Sequence, residues 1–157
     1  MVILGIDPGL NITGYGVIEA GKRAILKEAG VIRTSNKDSI SVRLRDIYNN
    51  LSDIVNEYKP EVFVLEKLYS HYKHPVTSIL MGHARGVVCL IAGINGSKLV
   101  NYPSTRIKKA IAGNGQASKL QVQGMIQEMM GLKKRPEPVD VSDALACALT
   151  YVNVELR

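Results

Sequence analysis

Cysteine is scarce in this chain. Cys89 and Cys147 are the only two among 157 residues, and no Cys-x-x-Cys occurs. That excludes a disulfide framework and a cysteine-rich zinc site, and it suits a reducing cytoplasm. A basic stretch ahead of the first apolar run is missing, and Asp7 ends that run directly after Val2-Ile3-Leu4-Gly5-Ile6, which argues against a signal peptide. Long apolar runs are missing too. The longest later one, Val87 to Ile94, is too short to span a bilayer, so no membrane partner is expected. Repeats, low-complexity tracts and a second-domain boundary are also absent. Residues 1–157 therefore read as one domain, long enough to bury a core, and 46% hydrophobic with 22% charged residues is a globular composition.

Acidic side chains are nearly absent where basic ones are densest. Between Lys98 and Arg135 lie eight basic residues (Lys98, Arg106, Lys108, Lys109, Lys119, Lys133, Lys134, Arg135) and one acid, Glu128. This surplus of seven positive charges exceeds the whole chain's net +6, so the remainder is slightly acidic. A concentrated cationic surface beside an acidic cluster suits a polyanion held against a metal site. The plainer alternative is a solvated basic face with no partner.

Residues 2–7 form a continuous apolar run, as a central strand buried on both faces requires. Pro8-Gly9-Leu10-Asn11 reads as a turn, residues 12–19 as a second strand, Gly21-Lys22 as another turn and residues 24–34 as a third strand. Such short connections predict an antiparallel meander. Ser39 is placed to cap an amphipathic helix reaching Tyr58, and Lys59-Pro60 stops it. A fourth strand follows at 61–66, a helix from Pro75 to about Ala92, and a fifth strand at 97–102. Helices are expected at about 104–111, 118–130 and 140–153. The pattern is α/β: a five-stranded mixed sheet, strands one to three antiparallel and strands four and five alternating with helices, flanked by helices.

Four acids stand out against this layout. Asp7 and Glu66 each end an apolar strand, where a carboxylate is costly unless something positive meets it. Pairing of strands one and four would set them side by side. Asp140 and Asp143 are three apart, on one helix face. Magnesium takes a few carboxylates, several waters and substrate phosphate oxygens, and two ions about 3.5–4 Å apart clamp a phosphodiester. Each acid also has a blander reading. Asp140, after a proline, could cap the last helix with Asp143 in its first turn. Asp7 could be a turn aspartate, and Glu66 could pair with Lys67 or a nearby arginine at the surface.

Several stretches together resemble the RuvC-type Holliday junction resolvases of the RNase H-like nuclease superfamily. They are Gly5-Ile6-Asp7-Pro8-Gly9 with Thr13-Gly14-Tyr15-Gly16, then Glu66, then Ala84-Arg85-Gly86-Val87. Arg106-x-Lys108 and Gly113-x-Gly115-x-Ala117-x-Lys119-x-Gln121-Val122 follow, and Asp140-x-x-Asp143-Ala144-Leu145-Ala146 closes the series. The pieces stand in family order over nearly the whole chain. The stretch from Lys67 to Leu80 departs from the family pattern, and His83 stands where glutamine is common.

The resemblance implies an RNase H-like fold and a homodimer that holds a four-way DNA junction. It implies symmetric paired nicks leaving 5′-phosphate and 3′-hydroxyl ends in recombination and repair. It implies Mg2+, two per subunit with Mn2+ substituting, bound by Asp7, Glu66, Asp140 and Asp143. Lys119 would act near the scissile phosphate, Lys108 would be a second basic residue of the site, and Tyr69 would stack on an unpaired base. Arg85 and Arg106 would be further DNA contacts. A branch-migration complex of the RuvA–RuvB type is the expected partner, and the cytoplasm the expected location.

Tyr69 could equally be an ordinary loop tyrosine. His71 and His74 have no companion ligands for zinc and read as polar loop residues. Gly14 and Gly16 let a backbone approach the site or mark a bend in their strand. Two other functions start from similar residues. A nucleotide-binding phosphotransferase of the sugar-kinase and actin type also opens on a strand, an aspartate and a glycine turn, but it needs a duplicated domain and a second such motif. A non-catalytic junction-binding protein would have no need of four acids.

Overall fold

The structure, a computed structural model, describes residues 1–68 and 75–156. Apolar runs separated by tight turns give three antiparallel strands: β1 (Val2–Asp7), β2 (Ile12–Glu19) and β3 (Ile25–Arg33). Helix α1 (Ile40–Tyr58) crosses to β4 (Val62–Glu66), which pairs parallel to β1. Helix α2 (Pro75–Ile94) leads to β5 (Lys98–Tyr102), parallel to β4 at the sheet's other edge. The sheet order is β3-β2-β1-β4-β5, so β1 is central. Three helices complete the fold: α3 (Ser104–Ala112), α4 (Lys119–Met129) and α5 (Val139–Glu155).

Period-two alternation sorts the strands between two cores. Leu4, Ile6, Phe63 and Leu65 pack under α1 and α2 together with Ile47, Leu51 and Val88. Ile3, Val62 and Val64 pack on the opposite face with Ile107, Ile126, Leu145 and Leu149 of α3, α4 and α5. Burial on both faces is why β1 reads as an unbroken apolar run.

Helix α5 lies directly on the sheet backbone because glycine lets it. A Cβ on Gly5 would stand 2.0 Å from the Ala144 carbonyl oxygen and 2.8 Å from the Ala148 nitrogen. One on Gly14 would stand 2.1 Å from the Asp140 carbonyl oxygen. Of the two readings given for Gly14, close approach of a backbone is the one seen.

The helix termini show one departure from the sequence reading. Ser39 caps α1 as expected, its hydroxyl accepting from the Val42 amide. The cap position of α5 belongs to Pro138, which makes no side-chain bond, and Asp140 lies inside the first turn. Asp140 is thus free of a capping duty, although its charge suits the positive end of the helix.

Helix α2 shows the other. With 20 residues it is long and apolar enough to cross a bilayer by length and composition, and 22% of its most apolar 18-residue window is buried. Along the chain the uninterrupted apolar run begins only at Val87, because Gly82, His83 and Arg85 break what precedes it. Ala84, Val88, Ile91 and Ala92 face the sheet, while Val76, Ile79, Leu90 and Ile94 are turned outward.

Candidate active site

Strand register brings the first two acids together. Ile6 lies opposite Leu65 in the parallel β1–β4 pair, and Asp7 and Glu66 are the next residues along each strand. By alternation both follow Gly5 and Val64 onto the face covered by α5. Asp7 is paired with Gly14 across β1 and β2, and Asp140 rests over Gly14. Asp143 follows within one helical turn and, with Glu66, Ser104, Lys108 and Lys119, lines a cleft of about 180 Å3. Four acids from β1, β4 and α5 therefore gather at one end of the sheet.

Their charges feel one another. Burial and the neighbouring carboxylates of Asp143, Asp140 and Glu66 push Asp7 up to about 7, against the opposing pull of Lys119. Glu66 sits at the open rim, and partial desolvation and Asp143 raise it, while the Ser104 hydroxyl, Lys108 and Lys119 pull it down. Burial also raises Asp143, countered mainly by Lys119, whose Nζ lies 3.6 Å from Asp143 Oδ2. Among the described residues no three potential ligands already converge on one point.

The long glycine-containing motif proves to be the mount for Lys119. Gly113 ends α3 in the left-handed conformation at φ 74°, and Ala117 is buried. Ser118 then opens α4 with a capping box: its hydroxyl accepts from the Gln121 amide at 3.2 Å, and the Gln121 side-chain oxygen accepts from the Ser118 amide at 2.8 Å. Lys119 is thereby fixed at the first helical position. A cation there opposes the helix dipole. It is tolerable because Asp143 faces it, and it is useful because lysine and helix terminus together attract a phosphate.

Buried Ser142 anchors the helix between the two aspartates. Its hydroxyl donates to the Pro136 carbonyl at 2.8 Å and accepts from the Gln123 amide group at 3.3 Å.

The expected DNA contacts divide. Lys108 lines the cleft. Arg106 is exposed, with its guanidinium 5.4 Å from the centre of the Tyr102 ring. Arg85 is turned inward: one nitrogen donates to the main-chain carbonyl of Glu66 at 2.8 Å and another to the Asn101 side-chain oxygen. Two of the five guanidinium donors are engaged in this way. Among the described residues no ion pair joins Glu66 to Lys67 or Arg85. Tyr69, His71 and His74 lie outside the described residues.

Two residues at the site escaped the sequence reading. Ser104 reaches Glu66 from the start of α3, and its spacing of four from Lys108 was the available signal. Cys147, buried one turn beyond Asp143, has its thiol pushed well up by burial, then by Asp7, Glu66 and Asp143. Such a thiol stays neutral and unreactive.

Protonation gives a first expected result. An acid whose folded pKa is raised binds its proton more tightly in the native state, so stability falls as pH climbs from the unfolded value near 3.8 to about 7. A shift of this size corresponds to at most about 4 kcal/mol. In EDTA, urea unfolding of the wild type will show stability lost between pH 4.5 and 7.5, and Asp7→Asn will flatten part of that slope. Parallel pH profiles for the two proteins would refute the raised Asp7.

A mixed sheet of this order, with carboxylates at the ends of β1 and β4 and on a helix packed across them, defines a nuclease of the RNase H-like class. The family profile described as crossover junction endodeoxyribonuclease RuvC matches residues 3–151. A protein of that name from Rhodopirellula baltica is 49% identical over 148 residues, covering 94% of this chain and 83% of its relative. The structure of Thermus thermophilus RuvC superposes with TM-score 0.89 at 32% identity, covering 98% of this chain and 94% of the other. The same TM-score and identity relate this chain to T. thermophilus RuvC in complex with a Holliday junction substrate, covering 97% and 93%. The chain belongs to the RuvC family of crossover junction endodeoxyribonucleases.

Proposed function

We propose that this chain, working throughout as one nuclease domain, resolves four-way DNA junctions by metal-dependent hydrolysis in recombination and repair. The observation that carries this reading is the gathering of Asp7, Glu66, Asp140 and Asp143 beside Lys119 and Lys108 in a chain of this family.

The donors suit magnesium. All four are hard carboxylate oxygens on rigid elements, and the nearby sulfur of Cys147 is a buried protonated thiol. Asp7 is the most strained of the acids, and a cation held with Glu66, Asp140 and Asp143 would relieve it. Two Mg2+ per subunit fit this charge, with Mn2+ substituting. Ions held by these four residues would supply an activated water and stabilise the departing 3′-oxygen.

The rest falls to the chain. Asp7 must give up its proton, so metal binding tightens with pH. Lys119 and the α4 terminus offset charge building on the phosphate oxygens. Lys108 offsets part of the acids' negative charge in the cleft, and the basic surface around Arg106 follows the DNA backbone. The products carry 5′-phosphate and 3′-hydroxyl ends.

The outward face of α2 supports a second copy as its cover. Val76, Ile79, Leu90 and Ile94 are each more than half exposed. Gly82, Gly86 and Gly93 on the same helix have nothing within 4 Å of a built Cβ, leaving room for close helix approach. A homodimer would place two sites on one junction. Replacing Ile79 and Leu90 together with Glu is expected to convert a sedimenting dimer into a monomer and to uncouple the paired nicks. An unchanged sedimentation coefficient would remove α2 from the interface. A branch-migration complex of the RuvA–RuvB type is the partner that would present the junction, in the cytoplasm where the DNA lies.

The test is incubation with a synthetic four-way junction in magnesium, beside linear duplex and ATP controls. Cleavage confined to the junction supports the reading, and ATP turnover without cleavage overturns it. Lys119→Ala is expected to slow cleavage about 100-fold and to weaken junction binding by less than about threefold, as one lost phosphate contact would at moderate salt. An equal fall in both would make Lys119 only a phosphate anchor.

A further inference from the structure

We infer that Arg85 is a positioning residue that fixes the Glu66 end of β4 for metal binding. This rests on the reading of Glu66 as a ligand.

Glu66 is the last residue of its strand, and a strand end has no ladder beyond it to hold its direction. Three contacts replace that ladder. The Lys67 amide donates to the Tyr102 carbonyl at 2.8 Å, continuing the β4–β5 pairing by one residue. Ser104, at the start of α3, lines the same cleft beside the Glu66 carboxylate and helps pull its pKa down. Arg85 then grips the Glu66 carbonyl from α2 at 2.8 Å and, with a second nitrogen, the Asn101 side chain on β5. One planar guanidinium therefore joins the ends of two adjacent strands. Its fork geometry fixes both at once, which a lysine ammonium cannot reproduce.

The carbonyl of Glu66 belongs to the same residue as the proposed ligand. Loss of that grip would free the end of β4 to shift and carry the carboxylate with it. Partners of this kind, behind a metal ligand, typically govern affinity by about 10–100-fold when removed. Arg85 also lies on the helix whose outer face is proposed to meet a second copy. Pairing of subunits and order at Glu66 thus share one rigid element, and a shift of α2 along the interface would be felt at the carbonyl of the ligand.

A phosphate contact and a bracket predict different responses to substitution. Lysine preserves a point charge for DNA but cannot span both strands. The experiment compares wild type, Arg85→Lys and Asn101→Ala. It measures Mn2+ binding by calorimetry, junction affinity in EDTA, and the Mg2+ midpoint of junction cleavage.

Arg85→Lys is expected to weaken Mn2+ binding and raise the Mg2+ midpoint about tenfold, with junction affinity within about twofold of wild type. Asn101→Ala, which leaves the arginine in place and removes one prong, is expected to move both metal readouts in the same direction by less. Unchanged metal readouts in Arg85→Lys would overturn the inference, as would a junction affinity that falls while Mn2+ binding holds. If the wild type itself failed to cut junctions in magnesium, the nuclease reading would fall first and this inference with it. Normal wild-type cutting with an indifferent Arg85→Lys would sink the bracket alone.

Discussion

Replacing Asp7 with Asn will abolish cleavage of a four-way junction in magnesium, by at least about a thousandfold, while junction affinity stays within about twofold of wild type. The two expectations share one cause. Asp7 is central among the acids, and its carboxyl is raised by burial and by all three of the others. An amide of the same shape removes the charge that a cation needs there, yet takes no positive group from the DNA-facing surface. Several kcal/mol of transition-state stabilisation from a bound ion corresponds to the rate loss. The same substitution relieves repulsion, so the metal-free variant will be more stable than wild type at pH 8. Gel-based cleavage, binding in EDTA and urea unfolding check the three parts. Cutting at wild-type rate would remove Asp7 from the site.

Replacing Gly14 with Ala will lower both stability and activity. The added Cβ would stand 2.1 Å from the Asp140 carbonyl oxygen, 2.4 Å from its carbon and 2.9 Å from its Cβ. Two of these are backbone atoms of α5, so no side chain can rotate to make room. Either β2 or α5 must shift, and overpacking of this kind costs about 1–3 kcal/mol. The displaced residue is itself one of the four acids, so cleavage should drop by at least about tenfold at subsaturating magnesium, and excess magnesium should recover part of it. Thermal unfolding and a magnesium titration of the rate provide the check. A variant as stable and active as wild type would show that α5 does not bear on Gly14.

Much of this architecture was legible beforehand, for identifiable reasons. β1 and β4 announced themselves as unbroken apolar runs because each is covered on both faces. Their terminal acids were conspicuous for lying where burial begins. Period-two alternation puts Asp7 on the face of Gly5 and Glu66 on the face of Val64, and only the β1–β4 register makes those faces the same one.

Other features depend on contacts distant in sequence. Whether Asp140 caps its helix is decided by the backbone at Pro138, not by spacing. Arg85 looked like one more cation available to DNA. Only the packing of α2 against the ends of β4 and β5 shows that two of its donors also bind protein. The apolar character of α2 is broken up along the chain by Gly82, His83 and Arg85, and its continuity as an exposed face emerges once the residues are wound onto a helix. Ser104 carries no signal beyond its position one turn ahead of Lys108.

The most direct measurement is anomalous diffraction from crystals of the protein grown with Mn2+. The prediction is strong anomalous density between Asp7, Glu66, Asp140 and Asp143, lost in Asp7→Asn crystals. Ions bound elsewhere, or the four carboxylates remaining apart at saturating Mn2+, would contradict the shared site.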